Sequence, residues 1–299
     1  MKYEFSENIL MISAPHKFEK MTVGEFFDFY RQSSASRYHL LTQGGFMLDN
    51  SIVKNESEPI GQREIRLNFE PQDTDHVPAD NPCRVSYEDP FLYLAHKDAG
   101  YIIHGEPDDT DCLMARAARY QIEHDIHTPV RPIHRLDKDT SGLVLFSKNT
   151  FFQPWLDDQL QMKKIERNYL AICRGSFAKG RKQTISAPLG RDRHRSGCYR
   201  ISKTGKSAVT HIEGLAEKNG YSLIRCTLET GRTHQIRVHL SSLGLPIVND
   251  PLYGIHSSDF SGMGLWAYAI TFRNPLTNKK HRITDEMNPD YTYFGGLKL

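Results

Sequence analysis

The stretch Arg131-Pro132-Ile133-His134-Arg135-Leu136-Asp137-Lys138-Asp139-Thr140-Ser141-Gly142-Leu143-Val144-Leu145-Phe146-Ser147-Lys148 changes character halfway along. Up to Ser141 it is mostly polar and charged, with Asp137 and Asp139 close to Arg135 and Lys138. From Gly142 it turns into an apolar run, which predicts a short buried strand. A charged loop that ends on a glycine and feeds a rigid strand is a common seat for catalytic groups. On composition alone the same loop reads first as a surface loop. The surrounding segments decide between the two.

The second informative segment is Glu229-Thr230-Gly231-Arg232-Thr233-His234-Gln235-Ile236-Arg237-Val238-His239-Leu240. Before it, Tyr221 to Leu228 alternates as a strand, with Ser222, Ile224, Cys226 and Leu228 on one face. Gly231 supplies a turn, and a helix is expected from near Thr233. Arginines at a strand end and a helix start can hold a phosphate or a carboxylate. His234 and His239 make a poor zinc pair, because a spacing of five sets them roughly 140° apart on a helix with no acidic partner.

Elsewhere, Pro90 to Lys97 reads as a buried strand. Thr110 to His124 reads as a helix with Leu113, Ala117, Ala118 and Ile122 on one face. Thr150 to Lys164 reads as a helix with Pro154 in its first turn, and Asn168 to Cys173 as a strand. Helices scattered among clustered strands, without regular βαβ alternation, predict an α+β fold. Its central sheet should be mixed, largely antiparallel and flanked by helices. Residues 1–72 form a small unit of their own. In it Thr22 and Glu25 can make a capping box, Val23, Phe26, Phe27 and Tyr30 face inward, and a second short helix near Ser36 to Gln43 ends at Gly44-Gly45. Residues 73–82, rich in Asp and Pro, are the expected linker. Residues 83–299 form the main domain.

At 299 residues, 38% hydrophobic and 25% charged, the chain is long enough for a sizeable core and ordinary for a soluble protein. It has no apolar run of membrane-spanning length, and its first residues lack the apolar core of a secretory signal. The net charge of +2 provides no global field for a polyanion. An RNA partner would have to meet a local basic face, such as Lys163-Lys164 with Arg167, or Arg191 to Lys206. Five cysteines without a CxxC spacing argue against a disulfide framework or structural zinc. Cys173 and Cys226 are expected in the core. A reducing, cytoplasmic home and a monomer are the expectations.

Several further landmarks stand in order around the first stretch. They are Tyr87-Glu88-Asp89, His96-Lys97-Asp98-Ala99-Gly100 and Arg167-Asn168-Tyr169-Leu170-Ala171. Pro188-Leu189-Gly190-Arg191-Asp192, Gly205-Lys206-Ser207-Ala208-Val209-Thr210, Asp250-Pro251-Leu252-Tyr253-Gly254 and Leu265-Trp266-Ala267 follow. Together with His134-Arg135-Leu136-Asp137 and the Gly231–His239 segment, this set resembles the RluA-type family of RNA pseudouridine synthases over roughly residues 84–285. Two departures are Asp98, where the family usually has proline, and Trp266, where it more often has histidine.

The resemblance implies an isomerase that breaks the N1–C1′ bond of a uridine, turns the base and rejoins it through C5, with no cofactor and no metal. By residue, Asp137 is the essential carboxylate and Tyr169 meets the base. Arg232 holds Asp137 charged, and Arg135 fills the gap left by the extruded base. Arg191, Lys206 and Arg237 hold the RNA backbone or the fold, and His134 packs within its loop. The substrate would be a structured ribosomal or transfer RNA. Residues 20–70 resemble a degenerate S4-type RNA-binding unit, although Asp49-Asn50 stands where Asn-Gly is usual, and this tilts the expectation to ribosomal RNA. Two other classes compete. A catalytically inactive RNA-binding or ribosome-assembly factor on the same fold is opposed by the intact Asp137, Tyr169 and Arg232 set. A base-excising glycosylase also flips bases and uses a carboxylate, but the motif order does not support it.

Overall fold

In the computed structural model, which describes residues 2–295 apart from Glu7, Ala14 and Met287, the chain builds one small and one large sheet. The small unit runs β1 (Lys2–Ser6), β2 (Ile9–Ser13), α1 (Val23–Phe29), α2 (Ser34–Thr42), β3 (Phe46–Leu48), β4 (Ser51–Ile52) and β5 (Ile65–Asn68). Its strands pair in the order β1-β2-β5-β3-β4. The large domain begins with β6 (Val85–Glu88), β7 (Leu92–Lys97), α3 (Leu113–Glu123), β8 (Arg131–Pro132), β9 (Ser141–Ser147) and α4 (Gln153–Gln161). It continues with β10 (Glu166–Arg174), β11 (Lys182–Ser186), β12 (Leu189–Arg191), β13 (Tyr199–Ile201), β14 (Val209–Lys218) and β15 (Tyr221–Leu228). It closes with α5 (Gln235–Ser242), β16 (Leu265–Arg273), β17 (Lys280–Thr284) and a 3-10 turn, Pro289–Phe294. The last four residues of the 83–299 span lie outside the described residues.

The large sheet has the order β11-β14-β15-β10-β16-β9-β7-β6, with β17 beside β16 and β8 beside β9. Its neighbours pair antiparallel except β9 and β16, which run parallel through Ser141–Trp266 and Gly142–Ala267. The sheet is therefore mixed and largely antiparallel, as expected. Gly142 makes that one parallel contact possible. Its φ is +118°, and a Cβ there would stand 2.4 Å from the Ala267 carbonyl oxygen, so only glycine fits. This is why the charged loop ends on a glycine.

α3 and α5 cover one face of the sheet, packing on Val144, Tyr169, Ala171, Ile224 and Cys226. The other face is covered by α4 and the small unit over Leu143, Leu145 and Ile270, and by the terminal turn over Trp266. β15 is thus buried on both sides: Ile224 and Cys226 face one cluster, Leu223 and Tyr221 the other. The alternation expected there suits a half-exposed strand, whereas a doubly covered sheet buries both faces. Ile122 also departs from expectation, being 49% exposed. It lies nine residues after Leu113, about 180° around an ideal helix. Among the described residues no helix is long and apolar enough to cross a membrane.

The capping box forms. Thr22 Oγ1 accepts from the Glu25 N–H (3.2 Å) and Glu25 Oε2 accepts from the Thr22 N–H (2.8 Å). α1 then carries Val23, Phe26, Phe27 and Tyr30 into full burial. The small unit has its own sheet but not a core of its own. Phe26 stacks on Phe151 with centroids 6.1 Å apart, and Tyr30 meets Phe152 edge-on at 5.2 Å. Gln32 Nε2 donates to the Phe151 carbonyl at 2.7 Å. The 73–82 segment has no helix or strand, yet it is strapped to the large domain. The Ala79 N–H donates to Ala115 O (3.0 Å), and Asp75 accepts from the Val130 N–H (3.0 Å) and from Arg131.

Candidate active site

The loop between β8 and β9 is fixed from both ends. The Ile133 N–H donates to Leu145 O (2.8 Å), and the Leu145 N–H donates to His134 Nε2 (3.2 Å). Further on, the Lys138 carbonyl accepts from Lys97 Nζ (2.7 Å) and from the Gly100 N–H (2.9 Å). Lys97 is fully buried at the end of β7. It also donates to the carbonyls of Asp98 and Tyr101, at 3.0 and 2.7 Å. Burial pushes its pKa down to about 8. Asp137 therefore sits between two pinned residues, His134 and Lys138.

Because His134 Nε2 accepts a main-chain N–H, that nitrogen is unprotonated. Burial, helped by the nearby Arg167 charge, pushes the His134 pKa from 6.5 down to about 3. The unfolded chain thus takes up a proton near 6.5 that the folded chain refuses until about 3. Stability held above this window is lost as pH falls through it. We predict that the wild-type denaturant midpoint drops over this range, and that the gap between wild type and His134→Gln narrows as it does. A gap independent of pH would contradict this reading.

Asp137 opens on a cleft of about 210 Å³ whose apolar walls include Leu136, Leu228, Ile236 and Leu265. Its side chain is 18% exposed, and Oδ2 accepts from Arg237 Nη1 at 3.2 Å. Arg237 in turn forks onto Asp250, Nε to Oδ2 at 2.8 Å and Nη2 to Oδ1 at 2.7 Å. The Asp250 side chain is fully buried, and its Oδ1 also accepts the N–H groups of Leu252 and Tyr253, at 2.9 and 3.1 Å. Burial works against the charge of Arg237, but the bonds to Asp250 more than offset it and raise its pKa. Burial likewise pushes the Asp250 pKa up, and Arg237 brings it below its ordinary value. The bidentate fork fixes the guanidinium plane, leaving Nη1 aimed at Asp137.

This corrects two expectations. Arg232 is not the partner of Asp137. It is exposed, and its Nε donates to Ser207 O at 2.9 Å. Arg237, expected to hold the RNA backbone or the fold, is 3% exposed and takes that place. The helix start decides the difference. α5 opens at Gln235, so Arg232 still lies in the preceding turn, tied through its N–H to Gln235 Oε1 (3.0 Å). Arg237 falls within the buried run from Gln235 to Leu240. The sequence signal that marks it is its place inside an otherwise buried helix, with an acid, Asp250, some way beyond.

Tyr169, on β10 and 4% exposed, lines the same cleft, and burial raises its pKa. Arg135 is exposed at the rim beside Asp137. Arg191 and Lys206 are exposed on the β12–β13 arm, where Leu189 and Lys206 exchange main-chain hydrogen bonds at 2.9 Å. The two histidines of the second segment have separate tasks. His234 Nδ1 bonds Tyr253 Oη (2.9 Å), whereas His239 bonds Thr210 Oγ1 (2.9 Å) and Ala187 O (3.0 Å). Among the described residues no group of three or more His, Cys, Asp or Glu gathers to hold a metal ion. Trp266 donates to buried Asp285 (2.9 Å), which also bonds His96 (2.6 Å), and Asp98 faces His96 at 3.3 Å. Neither departure lines the Asp137 cleft.

Residues 92–242 match the family described as RNA pseudouridylate synthase. Over 236 residues the chain is 36% identical to "Uncharacterized RNA pseudouridine synthase YhcT" of Bacillus subtilis, covering 78% of this chain and 76% of that protein. A Xylella fastidiosa protein named "Ribosomal large subunit pseudouridine synthase D" is 33% identical over 230 residues, covering 76% of this chain and 69% of its own length. Among solved structures, "Human RNA Pseudouridylate Synthase Domain Containing 4" is similar in fold, with a TM-score of 0.56 at 20% identity over 70% of this chain and 90% of that one.

Proposed function

The chain belongs to the RluA-type family of RNA pseudouridine synthases, and on that premise we propose that it isomerises a specific uridine of a structured RNA through Asp137. The observation that carries this reading is the Asp137–Arg237–Asp250 chain, which holds one carboxylate at a mostly apolar cleft shared with Tyr169. The N1–C1′ bond breaks with its electron pair going to the base, the base turns, C1′ bonds C5, and the C5 proton leaves while N1 takes up a proton. No electrons are gained or lost overall, so a carboxylate acting as nucleophile or base suffices. Attack on C1′, attack on C6 and removal of a sugar proton all begin at Asp137. Tyr169 offers its ring to the base.

A paired or stacked uridine must first be extruded, at a cost of a few kcal/mol. Arg135, exposed beside Asp137, fills the vacated space, since a guanidinium can both stack and bond phosphate. We predict that Arg135→Ala slows reaction on a stem-loop roughly 10- to 100-fold and much less on an unstructured strand holding the same uridine. Equal losses on both would contradict a flipping role.

The RNA is proposed to be ribosomal. The name of the Xylella relative supports that choice, with Arg191 and Lys206 on the backbone. We assign the small unit mainly a packing role. Its eight Lys and Arg are outnumbered by ten Asp and Glu, and Arg37 pairs with Asp28 and Glu56 and Arg63 with Glu58, which gives the unit no net positive charge for the S4-type RNA binding that residues 20–70 suggest. A cytoplasmic monomer is the proposed setting, in keeping with five buried free cysteines. Carbodiimide-probed primer extension on ribosomal and transfer RNA from a strain lacking the gene tests the reading. One or more stops should vanish and return on complementation. An unchanged pattern in both RNA classes would overturn it.

A further inference from the structure

We propose that Arg167 binds the carbonyl edge of the detached uracil and stabilises the negative charge it acquires as the glycosidic bond breaks. The inference rests on the proposed reading of the cleft and extends it to a residue with no role so far. Arg167 lies two positions before Tyr169 on β10, so the two side chains leave the strand on the same face, and both line the Asp137 cleft. Its Nε is buried with no hydrogen-bond partner among the described residues. A shielded guanidinium nitrogen left unsatisfied is costly; Arg116 and Arg225 carry the same feature, but of the three only Arg167 lines the Asp137 cleft. The other arginines of the cleft are differently employed: Arg237 is forked on Asp250, Arg232 is bonded to Ser207, and Arg135 is exposed at the rim. His134 beside Arg167 is buried and accepts a main-chain N–H, so it adds no compensating anion.

Gly231 is an independent sign that the guanidinium has a reserved place. A Cβ at that position would stand 2.8 Å from Arg167 Nη1, and the backbone there is not in the left-handed region. Backbone geometry does not demand glycine at 231, and a Cβ there would displace the Arg167 guanidinium from its resting position.

The chemistry needs such a group whichever route Asp137 takes. Attack on C1′, or removal of a sugar proton, expels uracil with the N1 electron pair, which delocalises onto O2 and O4. Attack on C6 pushes charge onto O4 directly. Each route therefore builds an anion on the carbonyl edge. A guanidinium already within a mostly apolar cleft when the bond breaks stabilises that anion.

The test uses ribosomal RNA transcripts carrying tritium at uridine C5, which is released as water when C5 bonds C1′. Under single turnover at saturating enzyme, Arg167→Gln should lower the rate constant about 100-fold or more with RNA affinity by filter binding unchanged. Arg167→Lys should recover part of the loss, because it keeps the charge without the fork. Gly231→Ala shifts only the flexible end of Arg167 and should slow the step roughly tenfold in a folded protein. A wild type inactive on ribosomal and transfer RNA transcripts alike would remove the proposed activity itself. An active wild type with Arg167→Gln and Gly231→Ala both within about threefold of it would overturn the role of Arg167 alone. A loss confined to RNA affinity would overturn it too, making Arg167 a phosphate contact.

Discussion

Asp137→Asn is expected to abolish pseudouridine formation while leaving fold and RNA affinity intact. The amide has the same shape as the carboxylate, and its oxygen can still accept from Arg237 Nη1, which now makes that contact at 3.2 Å. The Arg237–Asp250 fork does not depend on Asp137, so the buried framework is untouched. What disappears is the only group in the proposed scheme able to attack carbon or remove a proton. The rate should fall at least about 10⁴-fold, equivalent to roughly 5 kcal/mol of transition-state stabilisation. Tritium release under single turnover measures the loss. Filter binding and denaturant unfolding show whether it is confined to chemistry, and a matching drop in either would move Asp137 from catalysis to architecture.

Arg237→Met should cost both activity and stability. It leaves the fully buried Asp250 carboxylate with only the Leu252 and Tyr253 N–H groups. Removing one member of a buried ion pair costs about 3–5 kcal/mol, much of it the penalty of the stranded charge. Asp137 would lose its one side-chain donor among the described residues at the same time. Arg237→Lys should recover little, because an ammonium cannot reproduce a fork bonded on three sides. Arg232→Met gives the contrast, since that side chain is exposed and bonded only to the Ser207 carbonyl. It should stay folded, with unfolding free energy within about 1 kcal/mol of wild type. Urea unfolding and single-turnover rates on the three variants check this, and a stable, active Arg237→Met would refute the arrangement.

The parts of this molecule that were legible in its sequence are those whose cause is local. Thr22 and Glu25 are three residues apart and their reciprocal bonds form. Gly142 announces the end of the charged loop, although the Ala267 carbonyl that demands it is distant in sequence. The illegible parts depend on distant partners. That Phe26 would stack on Phe151, giving the small unit a shared core, cannot be read from either ring alone. The same holds for β15, whose second buried face exists only because another layer covers it. At the site, the ordered motifs marked the right segments, yet Arg232 and Arg237 differ only by which side of the α5 start they fall on. The segment holding Asp250 was visible as a motif without a role, because its role is an ion pair across the fold. Arg167 was read as part of a basic run, whereas its place in the Asp137 cleft, with a buried Nε that lacks a partner, makes it informative.

The most direct test of the central claim is to digest the RNA after a single-turnover reaction and separate the products. Wild type should yield one pseudouridine for each C5 tritium released and no free uracil, and Asp137→Asn should yield neither. Free uracil from the wild type, or pseudouridine from Asp137→Asn, would contradict the account.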